Sequence, residues 1–181
     1  MNVFELKFLD FIAEHFRCGF LDFLMPKITL LGDAGIFWIA IAVILLFSKK
    51  TRRIGTAMGI ALVLGLVVCN ITLKPLVARV RPYDVAGTLP YLADIQHDFS
   101  FPSGHTIASF EGATAIFLYN KKWGIAALVL AALIAFSRMY LYVHYPTDIL
   151  CGLVLGVLFA FVGRWASNKL WTKLENRKKE A

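Results

Sequence analysis

Three short clusters of polar residues interrupt an otherwise apolar chain: Lys74 with Arg81 and Pro82; Pro102, Ser103, Gly104 and His105; and Ser137, Arg138, His144 and Asp148. Their types suit the handling of an anion. His144 and Asp148 stand four residues apart, so a turn at Tyr145 and Pro146 leading into a helix would bring the carboxylate back to an imidazole N–H. A carboxylate on one ring nitrogen sets the tautomer and leaves the other nitrogen as a base or nucleophile. His105 supplies a second proton-transfer group. Lys74, Arg81 and Arg138 supply three cations, and Pro102 to Gly104 have the chemistry of a helix start, whose free N–H groups attract anions. Two histidines, one of them oriented by an acid, three cations and a helix N-terminus make a phosphoryl-transfer site. A two-metal mechanism needs several carboxylates to hold its ions, and no such cluster occurs in these motifs.

Each residue also has a plainer reading. Basic residues at the ends of membrane spans commonly snorkel to the headgroups, as Lys74 or Arg81 would singly and as Arg79 is expected to do. Ser103 caps a helix, a role compatible with anion binding. His105 and His144 could be interfacial histidines bonded to water, and Asp148 a first-turn acid. The His144 and Asp148 spacing and the gathering of all three clusters weigh against those readings.

The elements that must position these groups are membrane helices. The 181 residues are 59% hydrophobic and 17% charged, against about 25% charged in soluble proteins. Runs of about 20 mainly apolar residues are long enough to span a bilayer, and they occur near 28–47, 54–73, 104–120, 123–142 and 148–167. The third is the least apolar and contains Glu111, placed about 9 Å below His105 by the rise of 1.5 Å per residue. Ahead of the spans, Phe4, Phe8, Phe11, Ile12 and Phe16 recur at helical spacing while Glu5, Asp10, Glu14 and Arg17 take the other face. Residues 2–18 are therefore expected to lie in the interface; a sixth span there is the alternative, and it would bury several charges. Those early charges also do not fit a removable signal peptide, so the N-terminus should be retained.

The expected fold is all-α: one membrane-embedded domain over 1–181, with an N-terminal interfacial segment (1–27), five or six transmembrane helices and a basic tail (168–181). Lys49, Lys50, Arg52 and Arg53, then Lys121 and Lys122, then the basic C-terminus all alternate onto one side, which the positive-inside rule makes cytoplasmic. The polar clusters fall on the other side. The net charge of +7 is explained by these topology determinants, and no basic stripe interleaved with aromatics on a soluble face points to nucleic acid. Cys18, Cys69 and Cys151 show neither disulfide nor metal spacing. Gly55 with Gly59 and Gly152 with Gly156 form small-xxx-small pairs suited to packing inside the bundle, with a homodimer face as the alternative.

Lys74-x6-Arg81-Pro82, Pro102-Ser103-Gly104-His105 and Ser137-Arg138-x5-His144-x3-Asp148 resemble the three signature motifs of the type 2 phosphatidic acid phosphatase superfamily. That superfamily includes bacterial undecaprenyl-pyrophosphate and phosphatidylglycerophosphate phosphatases, glucose-6-phosphatase and the vanadium haloperoxidases. The resemblance implies that His144 attacks phosphorus, Asp148 orients it, and His105 protonates the leaving oxygen and then activates water. Lys74, Arg81, Arg138, Ser103 and Gly104 would hold the phosphoryl oxygens, with no cofactor or metal. The implied substrate is a phosphorylated membrane lipid cleaved at the outer face of a bacterial-type plasma membrane, by a protein favoured to be a monomer. Short loops resemble the undecaprenyl-pyrophosphate enzymes somewhat more than the longer multi-substrate ones. Hydrolysis of a soluble phosphate ester, or transport of a phosphorylated lipid without cleavage, are the competing functions. The segment between Pro82 and Pro102, with Tyr83, Asp84, Tyr91, Asp94, His97 and Asp98, is expected to cover the site.

Overall fold

The computed structural model describes residues 3–180, and every regular element among them is helical. Helix α1 (Val3–Phe16) buries Leu9 and Ile12 while Phe4, Phe8, Phe11 and Phe16 stay exposed. Glu5, expected on the polar outer face, is instead buried at 4% exposure. Partners from elsewhere in the chain explain this: its carboxylate accepts from Thr147 N (3.0 Å), Thr147 Oγ1 (2.6 Å) and Arg79 Nη2 (2.5 Å).

The apolar run expected to be one span over 28–47 is broken. Helix α2 (Gly19–Leu30) and helix α3 (Ile36–Leu46) are bent by 44° about a short 3₁₀ turn at Asp33–Gly35. Ala34 (φ 49°) and Gly35 (φ 66°) sit in the left-handed region there, so the α2 ladder cannot continue. Hydropathy averages over such a break because the flanking residues remain apolar.

Helix α4 (Arg52–Gly65) runs through a π-helical stretch, Leu66–Leu73, into helix α5 (Lys74–Val77), and helix α6 (Pro82–Ala86) follows. Helix α7 (Gly104–Tyr119) is the central post of the bundle, packed by α4, by helix α8 (Lys121–Tyr140) and by helix α9 (Pro146–Glu180). Every residue from Ser109 to Ala115 is buried, which explains why the third apolar run reads weakly: it faces protein, so small and polar residues replace the large apolar ones that lipid requires. Its 16 residues rise about 24 Å, short of the roughly 30 Å hydrocarbon core. Long apolar runs span Arg52–Ala86, Lys121–Tyr140 and Pro146–Lys178, and the bent α2–α3 pair passes the same test as one broken span. Exposed large apolar residues on their outer faces, such as Ile44, Ile71, Val129 and Leu158, form the lipid-facing wall of an integral membrane protein.

Close approach of α9 depends on glycine. A Cβ at Gly156 would lie 2.8 Å from Ile107 O, and one at Gly163 would lie 2.2 Å from Ala57 O. Gly55, Gly152 and Gly156 thus pack within the chain, whereas Gly59 faces open space. The basic segment after residue 167 continues as helix, and Glu175 pairs with Arg52 (3.1 Å) and Arg53 (2.6 Å) at the start of α4. These contacts gather the basic residues at one end of the bundle.

Candidate active site

At the opposite end, the α4–α5 run finishes, α7 starts, and the α8–α9 turn passes between them. His144 lies in that turn and is 1% exposed. Its Nδ1 stands 3.3 Å from Asp148 Oδ2, and its Nε2 points at Arg81 Nη1, 3.4 Å away. Burial, with Arg138 and Arg81 nearby, outweighs the Asp148 bond and pulls the imidazole down to about 3. The ring is therefore neutral at any physiological pH, the state a nucleophilic imidazole needs.

Asp148 is fully buried and completely bonded. Its Oδ2 accepts from Ser100 Oγ and from Tyr145 N (2.9 Å), and its Oδ1 accepts from Arg79 Nη1 (2.6 Å). Arg79, expected to snorkel to the headgroups, instead bridges Asp148 and Glu5 with its guanidinium 3.8 Å over the Tyr145 ring. An acid buried this deeply would carry a large desolvation cost without such a partner, which is why the arginine is drawn inward.

Lys74 and Arg81 converge on the loop before α7. Arg81 is fixed by backbone carbonyls, with Nε donating to Asp98 O (2.9 Å) and Nη1 to Val143 O (2.9 Å). The Asp98 carboxylate bridges Lys74 Nζ and Arg81 Nη2. Burial raises the Asp98 carboxyl, but the two cations outweigh it and hold the group at about 2. Arg138, 2% exposed, donates from Nη1 to Thr29 Oγ1 (2.7 Å) on α2.

Ser103 caps α7. Its Oγ accepts from Thr106 Oγ1 (3.0 Å) and lies 3.5 Å from Thr106 N. It is fully buried and does not line the cavity, whereas Gly104 and His105 do. The Asn70 side chain lies against Gly104. His105 Nε2 stands 2.6 Å from Asp33 Oδ1, in the turn that separates α2 from α3.

One cavity of about 940 Å³ joins these groups. Its polar end is lined by Asp33, Lys74, Arg81, Asp98, Gly104, His105, Arg138 and His144. Its other end is an apolar cleft of Ile39, Ala42, Val43, Leu46, Leu62, Val63 and Leu66 between α3 and α4. Glu111 lines the cavity against Gly65, with Oε1 unpartnered. Ser137 Oγ donates to Ile134 O (2.6 Å). No group of three or more His, Cys, Asp or Glu among the described residues has the geometry to hold a metal ion.

The residues missed in the sequence are Asp33, Thr29, Glu5, Arg79 and Ser100 as partners of the motif side chains, whereas the segment expected to cover the site does reach it, with His97 and Asp98 lining the cavity. Asp33 carried a readable signal, an acid between glycines inside an apolar run, because a charge at membrane depth needs a partner. The others come together only through tertiary packing.

The sequence profile of the PAP2 superfamily matches residues 53–172. The undecaprenyl-diphosphatase of Sulfolobus acidocaldarius is 33% identical over 126 residues, 69% of this chain and 61% of that protein. The bacitracin transport permease protein BcrC of Bacillus licheniformis is 32% identical over 173 residues, 94% of this chain and 82% of its own length. The crystal structure of the PAP2-type phosphatidylglycerolphosphate phosphatase of Bacillus subtilis superposes with a TM-score of 0.73 at 28% identity, covering 93% of this chain and 88% of that one. With the profile spanning most of the chain, including all three motifs, this membrane protein belongs to the PAP2 superfamily.

Proposed function

We propose that this membrane phosphatase hydrolyses a phosphomonoester or pyrophosphate of a lipid through a phosphohistidine on His144, without metal or cofactor, at the outer face of the membrane. The observation that carries the reading is the continuity of one cavity from the cation and histidine cluster into the apolar cleft between α3 and α4. An amphiphile with a phosphate head and a long chain fits both ends.

His144 Nε2 attacks phosphorus while the bond to the leaving oxygen breaks and His105 delivers a proton to that oxygen. Asp148 on Nδ1 holds the ring and stabilises the positive charge it gains. Water then attacks the phosphoryl group, His105 takes its proton, the P–N bond breaks, and inorganic phosphate leaves with His144 neutral again. Lys74, Arg81, Arg138 and the Gly104 N–H offset charge on the equatorial oxygens, the role that divalent ions fill in metal-dependent phosphatases. Ser103 contributes by capping α7 so that this N–H faces the cavity.

The names of the relatives above point to undecaprenyl pyrophosphate and phosphatidylglycerophosphate as first substrates to test, with phosphatidic acid beside them. The transport name of the Bacillus licheniformis relative raises passage of a lipid without cleavage, but two positioned histidines serve no purpose in passage alone. Phosphate release from the three lipids by purified protein in excess EDTA separates these readings. Turnover of at least one of them, inhibited by vanadate, is expected. No release from any, or activity lost to EDTA and restored by magnesium, would contradict the proposal.

A further inference from the structure

The structure assigns Asp33 as the positioning residue for His105: its carboxylate accepts from one ring nitrogen and stabilises the imidazolium, whose other N–H gives its proton to the leaving oxygen and, once bare, takes one from water. This rests on the reading of His105 as general acid and base. Asp33 Oδ1 lies 2.6 Å from His105 Nε2, and the Asp33 carboxylate has no other hydrogen-bond partner among the described residues.

The local backbone is built around this contact. An apolar run has no use for an acid at membrane depth unless it is paired, yet Asp33 sits where α2 breaks and two successive residues, Ala34 and Gly35, take positive φ. A left-handed alanine is unfavourable and persists only where surrounding structure enforces it. The turn also presents Gly32 to the imidazole, where an added Cβ would stand 2.6 Å from His105 Cδ2 and 3.0 Å from Ile134 Cγ2. The ring is thus boxed between the glycine and the carboxylate, and Nδ1 is left for proton exchange.

Each histidine therefore carries one carboxylate, and the two pairs are built differently. Asp148 is fully buried and bonded on both oxygens, which suits a fixed nucleophile. Asp33 is half exposed at the cavity wall with a single bond, which suits a pair that must give a proton in one step and take one from water in the next.

The test is single-turnover release of alcohol or phenol from an alkyl phosphate and from an aryl phosphate with a good leaving group. Only the alkoxide needs protonation as it departs. Asp33→Asn should lose about ten- to hundred-fold in kcat on the alkyl substrate, less than the roughly 10²–10⁴-fold a general acid itself supplies. KM and the aryl rate should stay nearly unchanged. Adding Asp33→Asn to His105→Ala should cost nothing further. Equal losses on both substrates, or the same loss in the His105→Ala background, would make Asp33 merely structural and overturn the inference. If Asp33→Asn does not fold, Gly32→Ala decides: it pushes the ring off an intact carboxylate, so an unchanged alkyl-to-aryl ratio overturns the inference equally. If His105→Ala itself loses the same factor on both substrates, the general-acid reading has failed and the inference with it. An alkyl-selective His105→Ala beside a non-selective Asp33→Asn removes the inference alone.

Discussion

On the proposed mechanism Asp98 occupies ground that the phosphoryl group needs, and Asp98→Asn measures the consequence. Its carboxylate bridges Lys74 and Arg81, two of the three cations assigned to the phosphoryl oxygens. An entering anion must displace it. The Asp98 side chain is 53% exposed, so each contact is screened and worth at most about 1 kcal/mol. Two contacts then give about 1–2 kcal/mol, or about five- to thirty-fold in an inhibition constant. Arg81 should stay in place without the carboxylate, because Asp98 O and Val143 O hold it through the backbone. Orthovanadate inhibition in detergent is the assay, and Asp98→Asn should bind the ion tighter by that factor, less so at high salt. The carboxyl is held at about 2, below its ordinary 3.8, so it is ionised throughout neutral assay conditions and the gain should not vary with pH there. With the folded value depressed, the stability this group contributes is present above 3.8 and lost only as pH falls towards 2. Vanadate binding unchanged or weakened in Asp98→Asn would show that Asp98 does not compete with the anion for Lys74 and Arg81.

Removing the Glu5 carboxylate as Glu5→Ala deletes three accepted bonds and leaves Arg79 with Asp148 and Thr147; a loss of about 2–3 kcal/mol should lower the unfolding midpoint by about 5–10 °C, and an unmoved midpoint would mean these bonds do not anchor α1. In a Cys18→Ser background, chosen because Cys18 is exposed, a cysteine at Asp94 should react with an impermeant thiol reagent from outside intact cells and one at Lys178 should not; the reverse pattern would move the chemistry to the cytoplasm. Glu111→Gln should keep most activity and the fold, because the amide preserves the shape packed against Gly65, whereas a loss as deep as that of His144→Ala would place Glu111 in the proton path.

How much of this was legible depended on whether a signal was local. The His144 and Asp148 pair could be read because its spacing across one turn brings the two groups together. Ser103 was readable as a cap, but its burial away from the cavity was not, since a cap looks the same on either side of a helix. The α2–α3 break escaped because Leu30, Ile36 and their neighbours are apolar on both sides of Asp33, and hydropathy carries no φ. Arg79 was misjudged because its partners, Glu5 and Asp148, lie at distant positions in the chain. The third run reads weakly for a related reason, since a helix surrounded by protein does not need the apolarity that lipid demands.

The proposed chemistry turns on a covalent phosphoryl bond to His144. The direct measurement is rapid quenching into alkali during turnover of a lipid radiolabelled in the departing phosphoryl group, followed by peptide mapping. Acid-labile, alkali-stable label on the peptide containing His144, absent from His144→Ala and longer-lived in His105→Ala, is the predicted result. Release of the lipid alcohol with no label on the protein, or label that survives His144→Ala, would rule out His144 as the nucleophile.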